Sequence, residues 1–267
     1  MTISDYLSGF GEISTLRREV LLNELDRVWH ELQLDNSRRL AEQQTKVAAF
    51  YSHEIWILNG LFSEQDPVSR EHRVAIAEFI ANLPVLKVAD YGGGSGTLAR
   101  FIVERKSTVN VDIIEPFPAH IFKIKAENFD NVNFVSELNQ QYDLLVAQDV
   151  LEHVDDPIEL SLKLIESVKI NGYLIFANRF YPDISCHLPS TFYLRHQFKR
   201  VMKFAGLEFF TVVPGAKHAL VFKKISVADH AAVCKAIGFA KAYGLLLNGF
   251  STPLYHIKQI IKKYASR

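Results

Sequence analysis

The sequence lacks an excess of charge, long apolar runs and a cysteine framework. Its 30 Lys and Arg residues balance 30 Asp and Glu residues, so no basic excess exists to neutralise phosphates, and nucleic acid is not a predicted partner. No apolar run approaches the ~20 residues of a membrane-spanning helix. Cys186 and Cys234 form neither a disulfide framework nor a metal-ligand spacing. These absences predict a cytoplasmic protein with reduced thiols and no transmembrane segment.

The N-terminal residues also lack the basic start and apolar core of a signal peptide, so none is predicted. The remaining composition, 48% hydrophobic and 22% charged residues, is ordinary for a globular protein. A length of 267 residues suits one large domain, or one domain with helical additions.

A glycine-rich turn follows a short apolar segment that ends at Asp90. Four glycines lie within five residues, at Gly92, Gly93, Gly94 and Gly96. The residues from Thr97 onward then have the pattern of a helix. Strand, glycine turn and helix open a nucleotide-binding βαβ unit, in which glycine permits positive φ and close approach of a ligand to the backbone.

The nature of the nucleotide depends on further residues. Residues 94–99 fit the dinucleotide pattern G-x-G-x-x-A, which alone is a weak signal for a nicotinamide cofactor. Three features favour another ligand. Asp90 precedes the glycines where it can reach an amine, Glu115 ends a second apolar strand where it can accept two ribose hydroxyls, and residues 142–157 form a buried strand that continues into a loop and a helix.

Residues 90–96, Glu115 and residues 149–157, in this order and spacing, resemble the class I S-adenosylmethionine-dependent methyltransferases. The resemblance covers roughly residues 84–225. From residue 84 the chain alternates strand and helix patterns, which predicts a parallel sheet. The resemblance implies an α/β fold with a Rossmann-like, seven-stranded, mostly parallel sheet flanked by helices. It also implies S-adenosylmethionine as the cofactor and S-adenosylhomocysteine as its product.

The resemblance further implies a set of cofactor-binding residues. Asp90 and the glycine turn would hold the methionine part, Glu115 the ribose, and Glu137 would lie beside the adenine amine. Gln148 and Asp149 would border the reacting methyl group. The predicted set is Asp90, Tyr91, Gly92, Gly93, Gly94, Gly96, Glu115, Pro116, Glu137, Leu138, Gln148, Asp149 and Val150. Tyr91 stands where the family more usually has a small or aliphatic residue.

A hydroxyl nucleophile must lose its proton, so a base is expected near the methyl group. His187, after the predicted fifth strand, and His153, just after the fourth, are the catalytic candidates. A packing or orienting role remains the alternative for each. Asp155 and Asp156 either bind a divalent ion or cap the helix that begins at Pro157, and capping is favoured, so no metal site is predicted.

Three regions are predicted. Residues 1–83 form an N-terminal helical segment, residues 84–226 the cofactor-binding methyltransferase domain and residues 227–267 a C-terminal helical extension. The first region, which includes the aromatic residues Tyr51 and Trp56, acts either as a lid over the acceptor or as a packing or homodimerisation surface. One helix is predicted over residues 190–204.

The C-terminal extension is predicted as two helices interrupted at residues 251–253. Its tail carries four basic residues, Lys258, Lys262, Lys263 and Arg267. A solvated helix face is favoured for this tail, with contact to an anionic membrane surface as the alternative.

The predicted function is S-adenosylmethionine-dependent methylation of an oxygen on a polar small molecule, such as a sugar or a natural-product intermediate. The acceptor class follows only from the mixture of polar, aromatic and histidine residues after the fifth strand. Two alternatives remain: an NAD-dependent oxidoreductase, and a non-catalytic protein that keeps the cofactor pocket and acts by binding partners.

Overall fold

The computed structural model describes residues 3–8, 12–138 and 140–265. The α-helices of these residues are α1 (Ile3–Leu7), α2 (Arg18–Glu31), α3 (Gln44–Tyr51), α4 (Glu54–Gln65), α5 (Pro67–Ala81), α6 (Thr97–Arg105), α7 (His120–Ala126), α8 (Pro157–Glu166), α9 (Phe198–Phe204) and α10 (His230–Ala265). The strands are β1 (Lys87–Tyr91), β2 (Asn110–Ile114), β3 (Val132–Val135), β4 (Tyr142–Gln148), β5 (Val168–Ala177), β6 (Leu207–Val213) and β7 (Ala216–Lys224). Short 3-10 helices cover Ile13–Thr15, Leu40–Glu42, Leu151–His153 and Pro189–Leu194.

The seven strands form one sheet in the order β3-β2-β1-β4-β5-β7-β6. The pairs from β3 to β5 are parallel, and β7 runs antiparallel to both of its neighbours. The predicted fold class is therefore confirmed. Because β1 and β4 are adjacent, with Tyr91 opposite Ala147, the glycine turn and the loop after β4 meet at one edge of the sheet, where ligands of open α/β sheets bind.

Helices cover both faces of the sheet, and each face has its own apolar core. On one face α8, α9 and α10 pack against β4 and β5 through buried residues such as Leu164, Met202 and Ala240. On the other face α5 and α6 pack through Ile76 and Ile102. Burial on both faces explains why β1, β2 and β4 are short runs of apolar residues rather than alternating ones.

The N-terminal helices form a third core around Trp29 and Phe50, and this core also includes Cys186 and Leu188 from the segment after β5. Ion pairs join α4 to the sheet region, since the carboxylate of Glu64 meets Arg100 of α6 and Lys125 of α7. Within the described residues, no helix is long and apolar enough to cross a bilayer.

Two predicted helices differ from the structure. The helix predicted over residues 190–204 is divided into the 3-10 helix Pro189–Leu194 and α9, because Gln197 departs from helical φ at −113°. The predicted interruption at residues 251–253 is wrong, since α10 is continuous over His230–Ala265. Pro253 removes one N–H donor from this helix without ending it.

Candidate functional site

The glycine turn between β1 and α6 is closed on one side and open on the other. A Cβ on Gly93 would lie 2.6 Å from Oδ2 of Asp90, so no side chain fits there. Gly94 has a φ of +52°, and a Cβ placed on it would meet no atom within 4 Å. Open space therefore lies beside Gly94, close to the start of a helix whose N-terminal dipole favours negatively charged groups.

Asp90 lies beneath this turn and is only 2% exposed. Its Oδ2 has no hydrogen-bond partner. Burial raises the pKa of Asp90 to about 7, although the Arg73 guanidinium opposes this shift, and the carboxylate of Glu115 adds to it. A buried carboxyl group with an unpaired oxygen is destabilising unless a donor reaches it, so Asp90 is suited to receive an ammonium group.

Glu115 follows β2 and faces the same turn. Its Oε2 accepts the backbone N–H of Gly94 at 3.1 Å, and its Oε1 accepts that of Phe117 at 3.1 Å. Burial raises the pKa of Glu115, and the two backbone N–H groups act in the opposite direction. The two bonds fix the orientation of the carboxylate and leave each oxygen a further lone pair for ligand hydroxyls.

Arg73 of α5 is a site residue that the sequence reasoning missed. Burial lowers the pKa of Arg73, while the carboxylates of Asp149 and Asp90 raise it. Its Nη1 donates to the carbonyl of Ser69, one turn earlier in the helix. Arg73 therefore places a cation near enough to Asp90 and Asp149 to interact with both carboxylates. Its helical neighbours give no sequence signal for such a role.

The two predicted catalytic histidines are in contact. The rings of His153 and His187 have centroids 4.9 Å apart at an interplanar angle of 77°. Nδ1 of His153 lies 3.1 Å from the Cys186 carbonyl, and Nδ1 of His187 lies 2.7 Å from the Tyr181 carbonyl. A carbonyl oxygen only accepts, so each Nδ1 carries the proton and each Nε2 has a free lone pair.

Both imidazoles are neutral at pH 7. Burial lowers the pKa of His153 to about 3, and the neighbouring His187 adds to this effect. Burial also lowers the pKa of His187, but its hydrogen bond to the Tyr181 carbonyl and the carboxylate of Asp149 act in the opposite direction. His187 is therefore the better proton acceptor of the two.

Glu152 forms a cluster with the two histidines. Neither Glu152 nor this cluster was predicted from the sequence. Its Oε1 accepts the backbone N–H of Arg179 at 2.6 Å, while Oε2 has no partner. Burial, and then the charge of Asp149, raise the pKa of Glu152 to about 8. One ligand atom each of Glu152, His153 and His187 lie within 4.8 Å of one another, an arrangement that can hold a divalent metal ion as well as a proton.

Aromatic residues of the N-terminal helices pack against His153. Trp56 and Tyr51 meet the ring of His153 edge to face, at 6.4 and 6.5 Å between centroids. Tyr51 also stacks on Phe117, next to Glu115, at 6.2 Å. Nε1 of Trp56 and the hydroxyl of Tyr51 are buried without hydrogen-bond partners. Tyr51, Trp56 and Phe117 thus form an aromatic wall from the imidazole of His153 to Phe117, whose backbone N–H binds Glu115.

The other residues of the predicted cofactor set border the same edge of the sheet. Asp149 is exposed, has a positive φ of 54°, and its backbone N–H donates to the Ala177 carbonyl at 2.7 Å. The side chain of Gln148 donates to Asp149 at 3.3 Å. Val150 contacts the turn, since its Cγ2 would lie 2.5 Å from a Cβ on Gly92. Tyr91 and Leu138 pack against the core.

Pro116 and Glu137 are both exposed. Gly96 ends the turn in a left-handed conformation and caps α6. The cofactor-binding roles of these residues stay predictions.

One prediction about the loop after β4 is wrong. Asp156 caps α8, as predicted, by accepting the N–H groups of Ile158 and Glu159. Asp155 does not cap α8. Its two carboxylate oxygens accept the N–H groups of Leu40 and Ala41, at 2.8 and 2.9 Å, and so tie this loop to the N-terminal helical segment.

A sequence profile of the family described as "Methyltransferase domain" matches residues 62–212, more than half of the chain. The chain belongs to the class I S-adenosylmethionine-dependent methyltransferases. S-adenosylmethionine is the methyl donor of this family, so the predicted family and cofactor are confirmed. The geometry fits the cofactor: Asp90 offers an unpaired acceptor for its ammonium group, and the open side of Gly94 lies beside the oriented carboxylate of Glu115.

Individual relatives of this methyltransferase are distant. It is 30% identical over 145 residues to a ubiquinone biosynthesis O-methyltransferase of Escherichia coli O6:H1, which covers 51% of this chain and 60% of that enzyme. An O-methyltransferase family protein from Burkholderia thailandensis has a TM-score of 0.54 at 17% identity, over 79% of this chain and 71% of that one.

Human N-acetylserotonin methyltransferase has a TM-score of 0.53 at 14% identity, over 77% of this chain and 67% of that one. These two structural similarities concern the fold alone. The chain spans little more than half the length of the curated relatives it matches.

Proposed function

We propose that this protein transfers the methyl group of S-adenosylmethionine to an oxygen atom of a polar small molecule, such as a sugar or a natural-product intermediate. One observation carries the proposal. The unpaired carboxyl of Asp90 and the oriented carboxylate of Glu115 lie at the same edge of the sheet as the paired imidazoles of His153 and His187.

The chain's own residues would divide the work as follows. Asp90 would bind the ammonium group of the methionine part, and Arg73 would meet the carboxylate beside it. Glu115 would accept the ribose hydroxyls, with Glu137 beside the adenine amine. When bound, the cofactor supplies a methyl group on a sulfonium centre, which is already an excellent leaving group.

On the acceptor side, Nε2 of His187 would take the proton of the attacking hydroxyl, with His153 orienting it or substituting for it. Tyr51 and Trp56 would exclude water and hold the acceptor, and their unpaired polar atoms offer it hydrogen bonds. Fixed orientation of the two reactants supplies about 7–11 kcal/mol. Removal of the proton adds roughly 10²- to 10⁴-fold in rate.

Calorimetry with S-adenosylhomocysteine and with NAD tests the cofactor part. We expect binding of the first only, and NAD binding instead would support the oxidoreductase alternative. The variant Glu115→Ala should bind S-adenosylhomocysteine roughly ten- to a hundredfold more weakly, since hydrogen bonds to a charged group are worth about 1.5–3 kcal/mol. Glu127→Ala, at an exposed acid after α7, is the matched control.

The acceptor part is tested with isotopically labelled S-adenosylmethionine on a panel of sugars, phenols, amines and thiols. Transfer to hydroxyl compounds alone is the expected result. Transfer only to amines or thiols would contradict oxygen as the accepting atom, and binding of cofactor without transfer to any compound would favour the non-catalytic alternative.

A further inference from the structure

The charges of this neutral chain are unevenly distributed. Residues 189–207 and 230–267 contain ten Lys and Arg residues and no Asp or Glu. The rest of the chain holds 20 basic and 30 acidic residues. The first of these acid-free segments includes α9, and the second includes the whole of α10.

The two acid-free segments pack together as an antiparallel pair. The N–H of Asp229, at the start of α10, donates to the carbonyl of Phe204, at the end of α9. Farther along, the guanidinium of Arg200 lies 3.9 Å from the ring centroid of Phe239. Gly244 of α10 meets the 3-10 helix, since a Cβ there would lie 2.8 Å from the backbone of Tyr193. The basic residues of α9 and of the N-terminal part of α10 therefore lie on neighbouring helices.

Among the side chains of α10 that the structure describes, one apolar stripe is buried and a second is exposed. Val233, Ala236 and Ala240 pack against the sheet region. Phe239, Tyr243 and Leu246 follow at i, i+4 and i+7 on the solvent side, with exposed fractions of 42%, 42% and 66%. The rings of Phe239 and Tyr243 stack at 5.5 Å between centroids. Adjoining aromatic and aliphatic side chains that face water are a feature of binding surfaces.

Exposed basic side chains border the outer stripe. They are Lys199, Arg200, Lys203 and Lys235. Phe209 of the edge strand β6 adds a further exposed ring, which lies 3.6 Å from the ammonium group of Lys199. Asp229, the acid nearest to α10 in the sequence, is occupied in capping that helix through the N–H of Ala232.

We propose that the face formed by α9, the first half of α10 and Phe209 binds the surface of a membrane that contains anionic phospholipids. A helix that combines Lys and Arg with exposed Phe, Tyr and Leu lies in the interface, with its apolar side chains below the headgroups and its cations on the phosphates. Nucleic acid would use the same charges, but it offers no environment for the aliphatic side chain of Leu246. The inference is independent of the methyl acceptor.

Sedimentation of the full-length chain with lipid vesicles tests the proposal. We expect binding to vesicles of phosphatidylglycerol and phosphatidylcholine in equal parts, no binding to phosphatidylcholine alone, and weaker binding as salt is raised. Each neutralised charge should weaken the partition coefficient about fivefold. Lys203→Gln combined with Lys235→Gln should therefore weaken it roughly 25-fold.

Two further variants distinguish the apolar contribution to vesicle binding from the effect of the overall charge of the protein. Leu246→Ser should weaken vesicle binding roughly fivefold or more without lowering the melting temperature, because this side chain is exposed in the free protein. Lys123→Gln combined with Lys217→Gln, at exposed residues of α7 and β7, should leave binding unchanged.

Three outcomes would overturn the proposal. Equal binding to neutral vesicles would remove the electrostatic basis. Full binding by Leu246→Ser and by the Lys203 and Lys235 double variant would place the contact elsewhere. Binding to heparin or duplex RNA without binding to anionic vesicles would assign the face to a different class of partner.

Discussion

The Nε2 atoms of His153 and His187 are both left as acceptors, because each ring directs its Nδ1 proton to a backbone carbonyl. The two rings are nearly perpendicular, at 77° and 4.9 Å between centroids. Two neutral imidazoles in contact can share one incoming proton, whereas two imidazoliums would repel each other. The pair thus offers two neutral proton acceptors at pH 7 and can bind one proton at most.

The variant His187→Asn tests the base. The amide of Asn can replace the Nδ1 donor to the Tyr181 carbonyl, but it removes the Nε2 lone pair. We expect kcat to fall roughly 10²- to 10⁴-fold, while the affinity for S-adenosylhomocysteine and the melting temperature stay close to those of the wild type. His196→Asn, an exposed histidine of the same segment, should retain full activity. A kcat for His187→Asn within threefold of the wild type would assign His187 a packing role.

Cofactor affinity should depend on the ionisation of Asp90. Its pKa of about 7 in the cofactor-free protein means that the carboxyl group is increasingly protonated below pH 7, while an ammonium ligand requires the ionised form. We expect the Kd for S-adenosylhomocysteine to rise about tenfold per pH unit below 7 and to be level above it. Calorimetry in buffers of different ionisation enthalpy measures the released proton.

Asp90 should also make the free energy of unfolding depend on pH. The direction is opposite to that of ligand affinity, because the protonated carboxyl group favours folding. Its folded-state pKa is raised above the usual value of 3.8, so its contribution to the free energy of unfolding is fully present below pH 4 and is lost as the pH rises to about 7. Asp90→Asn should bind the ligand weakly at every pH and remove both dependences. A pH-independent Kd in the wild type would show that Asp90 does not meet the ammonium group.

Two glycine variants distinguish an effect on cofactor binding from an effect on the stability of the protein. Gly94→Ala should weaken S-adenosylhomocysteine binding at least about tenfold, because the residue has positive φ and the new methyl group projects into the open side of the turn. Gly238→Ala, at an exposed position in α10 where a Cβ meets no atom within 4 Å, should stabilise the protein by about 0.5–1 kcal/mol and leave binding unchanged. Equal affinities of both variants would place the cofactor away from the turn.

The lid interpretation of the N-terminal helices is tested at Trp56. Trp56→Ala should raise the acceptor KM about tenfold or more and change the cofactor affinity less than threefold. Trp56→Phe keeps an aromatic ring against Phe50, 5.5 Å away, but lacks the Nε1 donor. It should restore the melting temperature and only part of the KM. A lowered melting temperature with unaltered kinetics in Trp56→Ala would leave these helices a structural or dimerising role.

Much of the sheet could be predicted from the sequence because its signals are local. Short apolar runs bounded by Gly, Asp or Pro locate β1 to β4, and Asp66 followed by Pro67 marks the start of α5, where Asp66 accepts the N–H of Ser69. The strand β5 begins earlier than its apolar run, at Val168, since its first residues pair with Tyr142 across an irregularity in the register.

The remainder depends on contacts between distant segments. Arg73 lies in an ordinary amphipathic helix, and only the packing of α5 against the sheet brings it to Asp90 and Asp149. Glu152 is adjacent to His153 in sequence, but its place in the cluster follows from the backbone of Arg179, which it binds. Asp155 has the local pattern of a helix cap, yet a partner 115 residues away competes successfully for its oxygens.

The bonds of Asp155 to Leu40 and Ala41 are part of a wider clamp on the site. Asp26 of α2 accepts the N–H of Ser185, and Asn36 donates to the carbonyl of the same residue. A chimaera that exchanges only the sheet region with that of a relative would replace one partner of each of these bonds. On the proposed function, we therefore expect acceptor specificity to transfer only when the N-terminal helices and the loops after β4 and β5 are exchanged as one unit.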